Sequence, residues 1–182
     1  FHGVKENPST AEVAAGLVVA RQFEPDLLIG LGGGSSMDCA KGINFLLTNG
    51  GTIADYRGYG KATRALLPMI GIPTTAGTGS EAQSYAVIAD AATHMKMACG
   101  DPSAAVKIAL LDPELTRGLP PLLTAATGMD AIAHCLETFM APAVNPPADG
   151  IALDGLQRGW AHIERATRDG SDMGARWQMM SA

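Results

Sequence analysis

Leu27-Leu28-Ile29-Gly30-Leu31-Gly32-Gly33-Gly34-Ser35-Ser36-Met37-Asp38-Cys39-Ala40-Lys41 is the stretch whose reading decides the fold. Leu27 to Leu31 is a short apolar run bounded by Pro25-Asp26 and by glycine, the pattern of a buried strand in a parallel sheet. The glycine run follows at once. It opens a segment with Met37, Ala40, Ile43 and Leu47 on one side, which the 3.6-residue period predicts to be a helix. Upstream, Ser9-Thr10-Ala11-Glu12 has the form of a capping box and starts a helix through Val13, Leu17 and Ala20. Helix, strand, glycine turn, helix is the rhythm of an α/β domain.

The same rhythm continues downstream. Pro68-Met69-Ile70-Gly71-Ile72 predicts a second buried strand, running into the loop Pro73-Thr74-Thr75-Ala76-Gly77-Thr78-Gly79-Ser80-Glu81. Tyr85–Asp90 and Met95–Cys99 read as a strand pair joined by a polar turn, and Val106–Pro113 as a further strand. Beyond Leu119-Pro120-Pro121 the pattern turns helical. Thr124–Met140 and Pro147–Ala166 form two helices, the second with Leu153, Leu156, Trp160 and Ile163 on one stripe, and a last helix starts near Ser171. A boundary near Arg117–Pro121 divides an α/β domain, 1–118, from an all-helical one, 119–182.

Composition narrows the function classes. The 182 residues are 47% hydrophobic and 17% charged, enough to bury a core. Glycine is enriched, with 22 residues that cluster in the loops, against an average of roughly 7% of a chain. The net charge of −5 argues against a nucleic-acid or anionic-membrane partner. No run approaches the ~18 apolar residues of a membrane span. Cys39, Cys99 and Cys135 stand singly in apolar or helical contexts, which suggests small buried thiols kept reduced in a cytoplasmic protein.

Three stretches carry chemistry. In Gly30–Asp38 the glycines permit positive φ and close approach to a ligand, and the N–H groups at a helix start attract phosphate. One reading is a pyrophosphate cradle to which Ser35 donates. The other is a tight turn capped by Ser35, with Asp38 favouring the positive helix end. The loop Pro73–Glu81 offers hydroxyls and bare backbone past the carboxyl end of a strand, where open α/β sheets bind ligands. Alternatively Thr78 or Ser80 starts a helix. Two such loops point to a shared cleft. In Gly128-Met129-Asp130-Ala131-Ile132-Ala133-His134, Asp130 and His134 lie four residues apart on one helix face. A carboxylate and an imidazole so placed form half of a divalent-metal site, although such a pair taken alone is usually coincidental. His2, His94 and His162 read as solvated, His162 being turned outward by its stripe.

Taken in order, Gly32-Gly33-Gly34-Ser35-Ser36-Met37-Asp38-Cys39-Ala40-Lys41, Pro73–Glu81, Asp112-Pro113-Glu114-Leu115-Thr116 and Ala125–His134 resemble the iron-containing (group III) alcohol dehydrogenase family across nearly the whole chain. The resemblance implies a Rossmann-like, dehydroquinate-synthase-like α/β NAD(P)-binding domain followed by the start of an all-α metal-binding domain. It implies that Gly33, Gly34 and Ser35 grip the NAD(P) pyrophosphate, with Asp38 near the nicotinamide. Thr74, Thr75, Thr78 and Lys96 then contact cofactor, and Asp130 and His134 are metal ligands and catalytic residues. The implied metal is divalent, Fe2+ with Zn2+ as the alternative, and the implied partner is a small alcohol or aldehyde in a homo-oligomeric enzyme. Tyr85 departs from the small polar contact that some members carry and is left out of the site. The family's N-terminal strand with its ribose-reading acidic residue, and two further metal-binding histidines, have no counterpart here. An internal fragment, inactive by itself, is therefore expected. Within the same fold the alternatives are a maleylacetate reductase or a 4-hydroxybutyrate dehydrogenase-like enzyme; outside catalysis, a nucleotide-binding fragment.

Overall fold

The computed structural model describes all 182 residues, Phe1–Ala182. They divide into two compact units: Phe1–Pro73 with Ser80–Leu110, and Thr74–Gly79 with Leu111–Ala182.

In the first unit, α1 (Thr10–Phe23) begins with the capping box that the sequence predicts. The Ser9 side chain accepts the Ala11 N–H, while Glu12 reaches back to the Ser9 N–H. β1 (Leu28–Gly32) follows, then α2 (Gly34–Asn49) and the two-residue β2 (Gly58–Tyr59). β3 (Met69–Pro73) lies parallel to β1, with Leu28 opposite Met69 and Gly32 opposite Pro73. β4 (Tyr85–Ala89) and β5 (Lys96–Gly100) form an antiparallel hairpin across the polar turn, in which His94 is exposed at φ 58°. β2 adds to β5, giving a second small sheet in the order β2-β5-β4. β6 (Ile108–Ala109) completes the first sheet, β1-β3-β6, all parallel.

Two strand expectations change. β6 holds two residues instead of the full 106–113 run. The Lys107 and Leu110 N–H groups still bond to Met69 and Gly71 on β3, but Asp112-Pro113 then diverts the chain, with Asp112 capping a 3-10 turn. β1 is parallel but not buried throughout: Gly30 is covered, whereas Ile29 and Leu31 are 59% and 58% exposed. Side chains alternate between the two faces of a strand: Gly30 faces Met37 of α2, whereas Ile29 and Leu31 point to the opposite face. The core of this unit gathers Val13 and Leu17 of α1, Ile43 and Phe45 of α2, and Ile88, Met97 and Cys99 of the hairpin.

The second unit is built on α3 (Pro121–Met140), α4 (Pro146–Arg168) and α5 (Met173–Met180), with α3 and α4 packed on one another. Proline at the first turn of α3 and α4 suits positions whose N–H would lack a helical partner. The Asp172 side chain caps α5 by accepting the Ala175 N–H.

The stripe expected to pack α4 does so only in part: Ile163 packs against Ala166, Ala175 and Met179, and Leu156 is half-buried. Leu153 and Trp160 are exposed, and the buried positions are Ala152, Gly155, Gly159 and Ala166. Close approach explains the choice. A Cβ at Gly155 would stand 2.7 Å from Cys135 Sγ, and one at Gly159 would stand 2.9 Å from an Ile132 side-chain carbon. Large residues cannot occupy a face that meets its neighbour at that separation. No helix is long and apolar enough to cross a membrane.

Candidate functional site

The glycine turn of the first unit carries its conformational demand at Gly32. Its φ is 139°, and a Cβ there would collide with the Ser36 hydroxyl, so only glycine suits the position. Gly33 lies at φ −74°, which any residue adopts. The turn therefore does not require glycine at this position. Gly33 is the N-cap of α2, and no side chain caps the helix start. Bare first-turn N–H donors at the positive helix end are the arrangement that a phosphate accepts.

The capping alternative is overturned. Ser35 lies inside the first turn, where its Oγ accepts the Asn7 N–H at 3.1 Å. Asp38 sits a turn further on and serves β4, not the helix end. Its carboxylate accepts the Ser80 hydroxyl at 2.6 Å and the Val87 N–H at 3.1 Å. Burial pushes the Asp38 pKa up, against the Ser80 hydrogen bond, the Val87 amide and the nearby Lys41 charge, each of which lowers it.

Lys41 escapes sequence reasoning. It is fully buried, and its Nζ donates to the carbonyls of Ser80 at 2.6 Å, Gln83 at 2.7 Å and Tyr85 at 3.0 Å. An ammonium has three protons, and three main-chain acceptors meet them. Burial lowers the Lys41 pKa, while Asp38 and Glu81 raise it. Glu81, also largely withdrawn from water, has its pKa raised by burial, and its Oε2 has no hydrogen-bond partner. Next on the same side, the Asn44 amide donates to Leu67 O and accepts its N–H. A signal for this stripe exists in the sequence. Asp38, Lys41, Asn44 and Thr48 recur at helical spacing, and Asp38 and Lys41 are the only charges in α2. Lys96 stands on the exposed face of β5 opposite Ala89.

In the second unit, the loop Thr74–Gly79 is held by a close backbone approach. Gly77 lies at φ 153°, and any Cβ would run into the Thr127 carbonyl oxygen of α3. Thr74, Thr75 and Thr78 are half-buried, and Thr75 Oγ1 is buried with no hydrogen-bond partner. No helix starts at Thr78 or Ser80; a turn over 80–82 leads to β4 instead. Three residues beyond Thr127 on α3 lies Asp130, the first of the two residues that the sequence offers as metal ligands. His134 Nε2 lies 3.9 Å from Asp130 Oδ1, with both side chains about half exposed. A carboxylate oxygen and an imidazole nitrogen on one accessible face fit a divalent cation as two of its ligands. No group of three or more His, Cys, Asp or Glu residues is assembled to hold a metal. His162 is not simply solvated: it is half-buried, with Nδ1 2.9 Å from Arg158 O.

The family model for iron-containing alcohol dehydrogenase matches residues 1–113, and that for the C-terminal part of the Fe-containing alcohol dehydrogenase family matches residues 124–182. The chain belongs to the iron-containing alcohol dehydrogenase family. It is 52% identical over 187 residues to the 4-hydroxybutyrate dehydrogenase of Cupriavidus necator, an alignment that takes in 100% of this chain and 48% of that protein. Among solved structures it matches a 1,3-propanediol oxidoreductase with a TM-score of 0.96 at 35% identity, covering 100% of this chain and 47% of the other. A sulfoacetaldehyde reductase from Bifidobacterium kashiwanohense, in complex with NAD+, matches with a TM-score of 0.90 at 31% identity, covering 99% of this chain and 48% of the other. The chain thus spans about half the length of the relatives it matches. As a member of this oxidoreductase family it has the Rossmann-like architecture and the start of the helical domain that its motifs imply.

Proposed function

We propose that the protein carrying this chain is a metal-dependent, NAD(P)-linked alcohol dehydrogenase that interconverts a small alcohol and its carbonyl compound. The observation that carries this reading is the Asp130–His134 pair, open to solvent on one face of α3 in a chain of this family.

Gly33 and Gly34 present bare backbone at the uncapped start of α2 to the pyrophosphate, and the Ser35 hydroxyl is positioned to donate there. Asp38 lies beside the nicotinamide in this reading. Thr74, Thr75 and Thr78 supply hydroxyls to the cofactor; the buried, unpartnered Thr75 Oγ1 supports a polar partner outside the chain. The Lys96 ammonium offers a further cationic contact. Asp130 and His134 hold the metal, Fe2+ with Zn2+ as the alternative. When bound, the metal supplies a Lewis acid for the substrate hydroxyl, and the nicotinamide supplies the hydride acceptor. Asp130 would neutralise part of the cation charge, and His134 would supply an imidazole nitrogen as the second ligand.

A second substrate reading comes from the relative at 52% identity, named a 4-hydroxybutyrate dehydrogenase: an ω-hydroxy acid in place of a simple alcohol. Buried, unpaired cysteines accord with a reducing, cytoplasmic setting. NADH absorbance on purified whole protein, with primary alcohols, diols and ω-hydroxy acids as substrates and with metal content measured, tests both readings. Turnover that survives complete chelation would contradict the metal assignment.

A further inference from the structure

Lys41 belongs to none of the groups assigned above. It is the largest fully buried side chain, and every proton of its ammonium is spent on main chain. The place of those carbonyls matters more than their number. The loop Thr74–Gly79 leaves the first unit after Pro73 and returns to it at Ser80. At the departure point the chain is fixed by β3, whose register against β1 runs to Pro73. At the return point no strand has yet begun, since β4 starts at Tyr85. Residues 80–83 lie outside any strand ladder. Lys41 takes the role of one through Ser80 O and Gln83 O, with Tyr85 O at the strand start. Asp38, one turn earlier on α2, adds the Ser80 hydroxyl and the Val87 N–H.

We propose that Lys41, with Asp38 and Ser80, is a clamp that fixes the re-entry point of the threonine loop, so that Lys41 is a positioning residue for cofactor binding without touching cofactor itself. The inference rests on the reading that Thr74, Thr75 and Thr78 contact NAD(P). Its physical content is entropic. A loop tethered at both ends presents its hydroxyls already ordered, whereas one held only at Pro73 and at the Gly77–Thr127 approach has a loose return arm that the cofactor must order, at the expense of affinity. A fully buried lysine is a costly way to tie a turn, and it is tolerated because all three donors are met. An apolar side chain at 41 would leave the carbonyls of Ser80, Gln83 and Tyr85 to find water, and the turn would open to reach it.

The test uses the whole protein stripped of metal, with NADH binding followed by fluorescence and the fold by circular dichroism. Lys41→Met is expected to weaken NADH by on the order of tenfold, and Ser80→Ala by about threefold, both with native spectra. With metal restored, the KM for the nicotinamide should rise in parallel, while kcat at saturating cofactor stays within about twofold of wild type. A merely structural lysine would lower the active fraction, and with it kcat, leaving KM unchanged. Thr75→Val separates the two levels of the argument. Wild-type NADH affinity in a folded Lys41→Met protein, alongside weakened binding in Thr75→Val, overturns the clamp and leaves the loop assignment standing. Wild-type affinity in Thr75→Val as well overturns the loop assignment on which the clamp rests. Should Lys41→Met fail to fold, Ser80→Ala decides: unchanged affinity there overturns the clamp.

Discussion

α2 and α3 each carry an acidic residue followed within about one turn by a nitrogen base, and the two helices treat the pair in opposite ways. On α2, Asp38 and Lys41 turn to separate backbone and hydroxyl partners, and Lys41 is removed from solvent altogether. On α3, Asp130 and His134 face one another at 3.9 Å, half in water, with no further ligand group gathered around them. A charge whose bonds are all met inside the chain fixes geometry. A pair left open and under-coordinated is where an outside group can enter. The same residue classes at nearly the same spacing therefore have different meanings, and burial separates them.

The sharpest way to break this contrast is His134→Ala in the whole protein. Turnover should fall by more than about a hundredfold, the scale of loss on disturbing a metal's ligand set, while NADH affinity stays within about twofold. A variant that keeps its turnover would make the open pair ordinary surface.

Gly77→Ala comes next. Its Cβ would run into the Thr127 carbonyl, so urea unfolding should show a loss of about 1–3 kcal/mol, the range for overpacked sites. The glycine turn of α2 offers a paired test of smaller size. Gly32, at φ 139°, should lose about 1 kcal/mol of stability on replacement by alanine. Gly33→Val, at φ −74°, should keep its stability yet bind NADH about tenfold more weakly, because its side chain fills the space before the helix start. A Gly33→Val protein with unchanged NADH affinity in calorimetry would return the turn to a purely conformational role.

The smallest effect concerns the thiols. Burial pushes Cys39 and Cys99 up to about 11, and both have no exposed surface; Cys135 is shifted upward too, but retains 8% exposure. Since only the thiolate reacts, a disulfide reagent at neutral pH should label Cys135 first and spare Cys39 and Cys99 until the protein unfolds.

Much of this is legible in the residues. The capping box at Ser9, the β4–β5 hairpin and the helical segment bearing Asp130 and His134 are local patterns, and local geometry decides them. The differences are long-range. The sequence of α4 shows a stripe of large apolar residues, yet Leu153 and Trp160 of that stripe stay exposed and the fully buried positions are glycine and alanine, because how closely α3 approaches is a property of both helices together. The sequence also shows a serine near the start of α2, and nothing in it reveals that the Asn7 N–H claims that hydroxyl. Lys41 is the instructive omission. A lone lysine in a helix reads as a solvated charge until the turn at residues 80–85 is seen to bring three carbonyls to it. The polar spacing of 38, 41, 44 and 48 is the available clue.

The central claim is that Asp130 and His134 hold the metal while the cofactor loops bind NAD(P) independently of it. The most direct measurement is metal content by elemental analysis of the whole protein, wild type against Asp130→Ala and His134→Ala, with the NADH dissociation constant taken on the same samples. The account predicts metal bound tightly in wild type, largely lost from both variants, and NADH affinity preserved in all three. Full metal occupancy in both variants would contradict it.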